Sequence, residues 1–274
     1  MDIYAFTPGS TPLLISIPHC GTWLPPELRP RLTEAALALP DTDWHVDRLY
    51  HFAAGLGAGI LRATHSRYVI DLNRPPDDRP LYPGASNTEL VPTTLFDEGP
   101  VYRPGAAPDA AEIAERRARY WRPYHERLAA ELAALKERFG VALLFDAHSI
   151  RSVVPRFFAG RLPDLNLGTG DGRSAAADLT ASLVEVASEA ESYSAVLNGR
   201  FKGGYITRTY GRPADGIHAV QLELAQVTYM DEEPPYGFRE DQAAAIRPVL
   251  RRLLEALLDW APQRVVDRPA RTVA

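Results

Sequence analysis

One cysteine, Cys20, is the entire thiol inventory of this 274-residue chain. That excludes an intramolecular disulfide and fits a reducing cytosol. No apolar run approaches the roughly 20 residues needed to cross a bilayer, so no membrane association is expected. A basic surplus is missing too: 30 Lys and Arg stand against 35 Asp and Glu, for a net charge of -5. The two signs are interspersed, and no nucleic-acid-binding face is expected. The N-terminus has no basic segment leading into an apolar core, so no signal peptide is expected and the location is read as cytoplasmic. Internal repeats are lacking, as are the HExxH zinc helix and the GxSxG nucleophile elbow. What is left, at 46% hydrophobic and 24% charged residues, is an ordinary globular composition. The length fits one large domain or two small ones.

The chain is organised around Val141–Arg151, VALLFDAHSIR. Five apolar residues run straight into Asp146-Ala147-His148-Ser149, as expected of a strand buried on both faces that delivers polar residues to the carboxyl edge of an α/β sheet. Leu13–Ile17 is a second such run, and Pro18-His19-Cys20-Gly21 follows it as a turn. Asp41-Thr42-Asp43 offers N-cap chemistry for a helix to about Leu56. Strands are expected at Ile60–Thr64 and Tyr68–Leu72, the latter ending at Asn73-Arg74-Pro75-Pro76. The Pro- and Gly-rich passage from Pro75 to Pro108 is long for a structureless connection and reads as a functional lid or rim. Asp109–Phe139 is helical by periodicity, with a kink or break at Pro123. Pro155–Gly172 reads as a loop, Ser174–Ala190 as a helix and Ser194–Leu197 as a short strand. Gly199–Gly216 is glycine-rich and carries Arg200, Lys202, Arg208 and Arg212. Ala219–Ala225 alternates as a strand should, Phe238–Asp259 is a terminal helix, and the tail after Pro262 is expected to fray. The alternation predicts one α/β domain over residues 1–274, a mixed sheet flanked by helices.

Strand ends thus carry His19, Asn73-Arg74 and Asp146-Ala147-His148, and a further strand carries Glu223 between Leu222 and Leu224. Two histidines and a carboxylate form a catalytic zinc set that leaves a position open for water, whose pKa zinc lowers to about 7. A separate carboxylate can take the proton and hand it to a leaving amine. An arginine can grip a substrate carboxylate bidentately. Together these residue types describe metal-assisted hydrolysis of an amide whose product carries a carboxylate. Asp146, two residues before His148 on the same strand face, is placed to orient that ligand from behind. His45, His51, His65 and His125 read as surface or packing residues, and His218 is assigned to neither class. Ser149 lacks an elbow and is not read as a nucleophile. Cys20 beside His19 is the non-metal alternative, although neighbours on one chain seldom point at each other.

Several stretches resemble the N-formylglutamate amidohydrolase (N-formylglutamate deformylase) family: SIPHCG at 16–21, DTDWHVDRLY at 41–50, SRYVIDLNRP at 66–75, YWRPYH at 120–125, DAHSIRS at 146–152, LPDLNLGT at 162–169, NGRFKGGYITRTYG at 198–211 and HAVQLELAQ at 218–226. The resemblance implies a phosphorylase/hydrolase-like fold related to zinc carboxypeptidases. It also implies a zinc or similar divalent ion, and cleavage of N-formyl-L-glutamate to formate and L-glutamate late in histidine degradation. His19 and His148 match metal ligands, Asn73-Arg74 the pair that binds a substrate carboxylate, and Glu223 the catalytic glutamate. The carboxypeptidase spacing His-x-x-Glu would put a carboxylate where Thr22 stands. The third ligand is therefore sought elsewhere, at Asp43 or, failing that, Asp47. A dicarboxylate substrate needs a second cationic contact, from among Arg151, Arg200, Lys202 and Arg208. Two rivals stand beside this reading: the same chemistry on another N-acyl amino acid, and a carboxylate-binding relative without catalysis.

Overall fold

In a computed structural model, residues 2–81, 84 and 86–266 are described, with side chains to 261. Seven strands form one sheet: β1 (Tyr4–Thr7), β2 (Leu13–Ile17), β3 (Gly59–Ala63), β4 (Ala142–Ile150), β5 (Leu165–Gly168), β6 (Ala195–Leu197) and β7 (Ile217–Ala225), in the order β1-β3-β2-β4-β7-β5-β6. β3, β2, β4 and β7 run parallel, so their carboxyl ends share one edge. β1 joins β3 and β5 joins β7 antiparallel, which makes the sheet mixed. Among the described residues seven α-helices accompany it: α1 (Glu34–Leu37), α2 (Val46–Leu49), α3 (Ala110–Arg116), α4 (Arg122–Phe139), α5 (Ala177–Ser188), α6 (Tyr205–Tyr210) and α7 (Glu240–Val266).

Both sheet faces are covered. Leu143, Phe145, Ala147, Val220, Leu222 and Leu224 pack with α5 and α7 on one side. Ala142, Leu144, Ile217 and Ala219 pack with α4 on the other. Because side chains alternate along a strand, the second face of β4 continues as Asp146 and His148, and that of β7 as Gln221 and Glu223. On this face the two strands are apolar for their first half and polar for their second. The opposite face is apolar through its middle, Leu143, Phe145 and Ala147 on β4 and Val220, Leu222 and Leu224 on β7, with His218 at the start of β7 and Ser149 near the end of β4 as its polar members. That change of character places a polar site at the carboxyl edge while the strands remain anchored in core.

Local signals set the helix ends. The Asp109 side chain accepts from Glu112 N (2.8 Å) and opens α3. Gly140, in the left-handed region at φ 76°, closes α4. Pro123 cannot donate to the carbonyl four residues back, and the preceding turn, Arg117–Trp121, widens to π-helical geometry.

Several expectations need correction. Tyr68–Leu72 is not a strand: apolar though it is, its residues turn across the second face and fill the core there. The helix expected from Asp41 begins only at Val46, because His45 adopts a left-handed conformation (φ 62°), and residues 51–56 are 3-10 helical. β5 lies inside the stretch read as a loop, and α6 inside the glycine-rich one. The terminal helix runs past Pro262 to Val266, and the rest of the expected frayed tail lies outside the described residues.

Phe145 is fully buried, 5.7 Å from the ring of Tyr50. Phe145→Ala is expected to cost about 3–5 kcal/mol by transfer and cavity formation, seen as a lower urea midpoint at unchanged slope.

Candidate active site

At the carboxyl edge three chain segments converge. His19 comes from the turn after β2, His148 from within β4, and Asp43 from the segment before α2. The backbone N–H of Asp43 donates to His19 O (3.1 Å), which ties that segment to the end of β2. Asp43 Oδ2 lies 3.0 Å from His148 Nδ1 and 3.7 Å from His19 Nδ1, and accepts from Ser149 N (3.1 Å). All three side chains are buried, and their ligand atoms lie within 4.8 Å of one another. Asp43 is therefore no helix cap. Asp47, the fallback, lies near Arg62 instead (3.4 Å) on a partly exposed side chain.

The far nitrogen of each histidine faces a carboxylate. His19 Nε2 is 2.7 Å from Asp71 Oδ1 and His148 Nε2 is 3.3 Å from Asp146 Oδ2. This is the arrangement that fixes ring orientation and raises donor basicity when the near nitrogen holds a metal. Asp71 also takes Arg67 Nη2 (2.8 Å) and Asn73 N (2.8 Å). Burial works to raise the Asp43 pKa, but the charge of His19 and the hydrogen bonds from His148 and His19 outweigh it and hold the carboxyl below its ordinary range. Burial disfavours protonation of His148, yet Asp146 and Asp43 overcome this and push its pKa well up. The pocket thus stabilises a cation between Asp43 and Asp146. Asp43 Oδ1 and Asp146 Oδ1 are buried with no hydrogen-bond partner, which leaves acceptor capacity unused at this point. Two imidazoles, a carboxylate, their backing carboxylates and this local negative charge fit a divalent metal.

Glu223 stands opposite His148 in the β4–β7 register, buried, and accepts from Gln221 Nε2 (3.0 Å). Gln221 Oε1 in turn accepts from Gly204 N (2.7 Å). Burial pushes the Glu223 carboxyl up to about 8, with the His148 charge opposing. A group near neutrality suits proton transfer in both directions.

These residues line a cleft with about 570 Å³ of empty space, part of it open to solvent. Its wall includes Arg67, Asn73, Arg74, Arg200, Gln221 and, from the rim, Leu81, Ser86, Asn87, Thr88 and Phe96. Of the four cations considered for a second carboxylate, only Arg200 lines it. Arg208 donates to Gly203 O (2.8 Å) and Leu81 O (2.9 Å), Lys202 pairs with Asp171 (3.0 Å), and Arg151, just past β4, acts on Asp41 and Tyr236. Arg67 and Asp71 escaped the sequence reading, because the expected strand there hid a turn whose polar residues point into the site. Gln221, at alternate spacing before Glu223, was the one signal available.

The remaining residues take packing roles. His125 sits between Leu72 O (2.8 Å) and Tyr210 Oη (3.0 Å). His65 packs on Tyr120, and His218 Nδ1 accepts from Ala176 N (3.1 Å). Cys20 Sγ faces Ile17 O (3.7 Å) and Ala63 O (3.6 Å), and burial pushes its thiol far up, which argues against a thiolate nucleophile. Ser149 Oγ is 2.6 Å from Tyr229 Oη.

Comparison with known proteins bears on the same residues. Residues 11–230 match the family described as N-formylglutamate amidohydrolase. The chain belongs to the N-formylglutamate amidohydrolase family. It is 58% identical to the N-formylglutamate deformylase of Pseudomonas aeruginosa, over 96% of this chain and 98% of that one. It is 54% identical to the enzyme of the same name from Pseudomonas putida, over 96% and 98%. The solved N-formylglutamate amidohydrolase of Ralstonia eutropha JMP134 superposes with a TM-score of 0.81 at 25% identity, covering 96% of this chain and all of the other. A gene product of Agrobacterium tumefaciens shares the fold at TM-score 0.70 and 20% identity, over 94% and 95%. Among the described residues, no helix is long and apolar enough to cross a membrane.

Gly204 abuts Asn73 so closely that an added Cβ would stand 2.3 Å from Asn73 Nδ2. Gly204→Ala is therefore expected to displace Asn73 and cost about 1–3 kcal/mol through overpacking. The measurement is thermal unfolding, and an unshifted Tm would contradict this packing.

Proposed function

We propose that this protein hydrolyses N-formyl-L-glutamate to formate and L-glutamate with one divalent metal, zinc or a similar ion, held by His19, Asp43 and His148. The observation that carries the reading is the convergence of one ligand atom each from His19, His148 and Asp43 within 4.8 Å, with Glu223 opposite His148. The names of the Pseudomonas relatives support the substrate. When bound, such an ion supplies positive charge that polarises a carbonyl and acidifies water.

The chain's own groups perform the rest. Glu223 takes a proton from the water whose oxygen bonds to the formyl carbon, and delivers it to the nitrogen as the C–N bond breaks. Gln221 holds one Glu223 oxygen (3.0 Å) and so orients the carboxylate. Arg67, ion-paired with Asp71 and 3.1 Å from His19 Nδ1, places fixed positive charge beside the reacting carbonyl, where negative charge develops. Arg74, stiffened by Pro75 and Pro76, receives the α-carboxylate, with Asn73 beside it. Asp71 and Asp146 orient the two histidines.

Formate release from N-formyl-L-glutamate by the purified protein tests the activity. Two variants test the roles. His148→Ala is expected to lose most of its metal on elemental analysis, because a three-ligand site has little redundancy; full occupancy would sink the assignment. Glu223→Gln keeps size and hydrogen bonding but cannot accept a proton, so kcat should fall about 10²–10⁴-fold while metal content persists. Near-normal turnover would remove Glu223 from the proton path.

A further inference from the structure

Of the three proposed ligands, His148 is fixed within β4 and His19 directly follows β2, whereas Asp43 lies between α1 and α2 in neither helix nor strand. A side chain as short as aspartate follows its backbone, so its placement depends on what holds the peptides on either side. The peptide before Asp43 is held at both ends. Gln226 Nε2 donates to Thr42 O (2.9 Å), and Asp43 N donates to His19 O (3.1 Å). On the far side, Tyr229 Oη donates to Trp44 O (2.8 Å). Gln226 opens the 3-10 turn Gln226–Thr228 that leaves β7, and Tyr229 follows that turn.

Ser149 joins the two. Its Oγ lies 2.6 Å from Tyr229 Oη and 3.4 Å from Gln226 Nε2, and its N–H donates to Asp43 Oδ2 (3.1 Å). One arrangement of protons satisfies the whole group. A carbonyl only accepts, so the Tyr229 proton goes to Trp44 O and the Ser149 hydroxyl donates to Tyr229 Oη. The Gln226 amide then donates to Thr42 O and to Ser149 Oγ. Thr42, Asp43, Ser149, Gln226 and Tyr229 are all buried, where a lost partner is not replaced by bulk water.

We propose that Ser149, Gln226 and Tyr229 form a clamp that positions Asp43 and thereby sets how tightly the site holds its metal. This rests on the proposed ligation by His19, Asp43 and His148 and deepens it. The three are positioning residues: none supplies a ligand atom, and each acts through the Asp43 carboxylate or the peptides beside it. The clamp gives the Ser149 hydroxyl a function other than that of a nucleophile. It also makes one stretch of chain, from Glu223 to Tyr229, supply both the proposed proton carrier and the hold on a ligand.

The test is zinc affinity of the purified protein, measured by competition with a chromophoric chelator, alongside thermal unfolding of the metal-free form. Tyr229→Phe keeps the ring and removes the hydroxyl, and its zinc Kd should rise about 10–100-fold, the usual weight of a group that orients a ligand. Ser149→Ala breaks the same chain at its other end and should raise Kd by a comparable factor. The double variant should bind little more weakly than the weaker single one, because members of one network are not additive. Gln226→Leu releases Thr42 O by a separate route, and should raise Kd even if the Tyr229 variant fails to fold. Leu183→Ala, a core truncation in α5, is the control for stability alone: it should lower Tm and leave Kd as in wild type. Unchanged Kd in Tyr229→Phe or in Gln226→Leu overturns the clamp. So does a Leu183→Ala protein whose affinity falls as far as theirs, or a double variant in which the Tyr229 and Ser149 effects simply multiply. A wild type that binds no zinc, or whose His148→Ala variant binds it fully, overturns the proposed ligation itself.

Discussion

Four carboxylates, Asp43, Asp71, Asp146 and Glu223, are buried around His19 and His148 at one sheet edge, with Arg67 the guanidinium set among them. Burying unpaired charge is costly, and such groups persist only when paired and hydrogen-bonded. Much of the surrounding architecture answers that need. Arg67 is buried because Asp71 requires a partner (2.8 Å). The segment after β3 turns across the sheet instead of extending it, and the turn brings Arg67, Asp71 and Asn73 together. Ser149 N and Asn73 N donate to Asp43 and Asp71 (3.1 and 2.8 Å). The pairing that remains is the one His148 supplies when it carries a proton, or that a bound cation supplies in its place.

The rim is tied to the core in two ways. Strands β2, β4 and β7 are held by apolar burial on both faces, which fixes Asp146, His148, Gln221 and Glu223 to the sheet. Leu81 and residues 86–95 are held by arginine side chains reaching carbonyl oxygens, from Arg74, Arg156, Arg200 and Arg208, and by Leu90, Val91 and Leu95, which are buried in the core beneath. Directional polar contacts thus set the edge of the cleft, and apolar burial anchors the segment that carries it.

How much of this was legible in the sequence follows from the same division. β2, β4 and β7 stood out because buried strands write continuous or alternating apolar runs, and the polar residues interrupting one face marked His19, His148 and Glu223. Asp146 followed from strand alternation once β4 was taken through His148. The 68–72 segment misled, since an apolar run packed against a sheet is indistinguishable by pattern from a strand within it. Asp43 had the signature of a helix cap, and only the left-handed His45, which delays the helix to Val46, frees its carboxylate for the site. The choice among Arg151, Arg200, Lys202 and Arg208 was closed to the sequence, because side-chain direction in a glycine-rich stretch follows from tertiary contacts and not from spacing.

The displacement of the third proposed ligand has a structural consequence. A His-x-x-Glu pair would bring two donors from a single turn, and the site would then need only that turn and one strand. Here Thr22 stands where the carboxylate would be, and Asp43 arrives from a separate segment, joined to His19 by one backbone hydrogen bond (3.1 Å) and to β4 through Ser149 N (3.1 Å). The three donors therefore meet only when β2, β4 and the segment between Leu39 and Val46 are assembled together. Under the proposed ligation, a cation bound here stabilises the junction of those three segments over any partly folded arrangement, since binding free energy at a site absent from the unfolded chain is folding free energy. Holding the site and holding this edge of the fold become the same interaction.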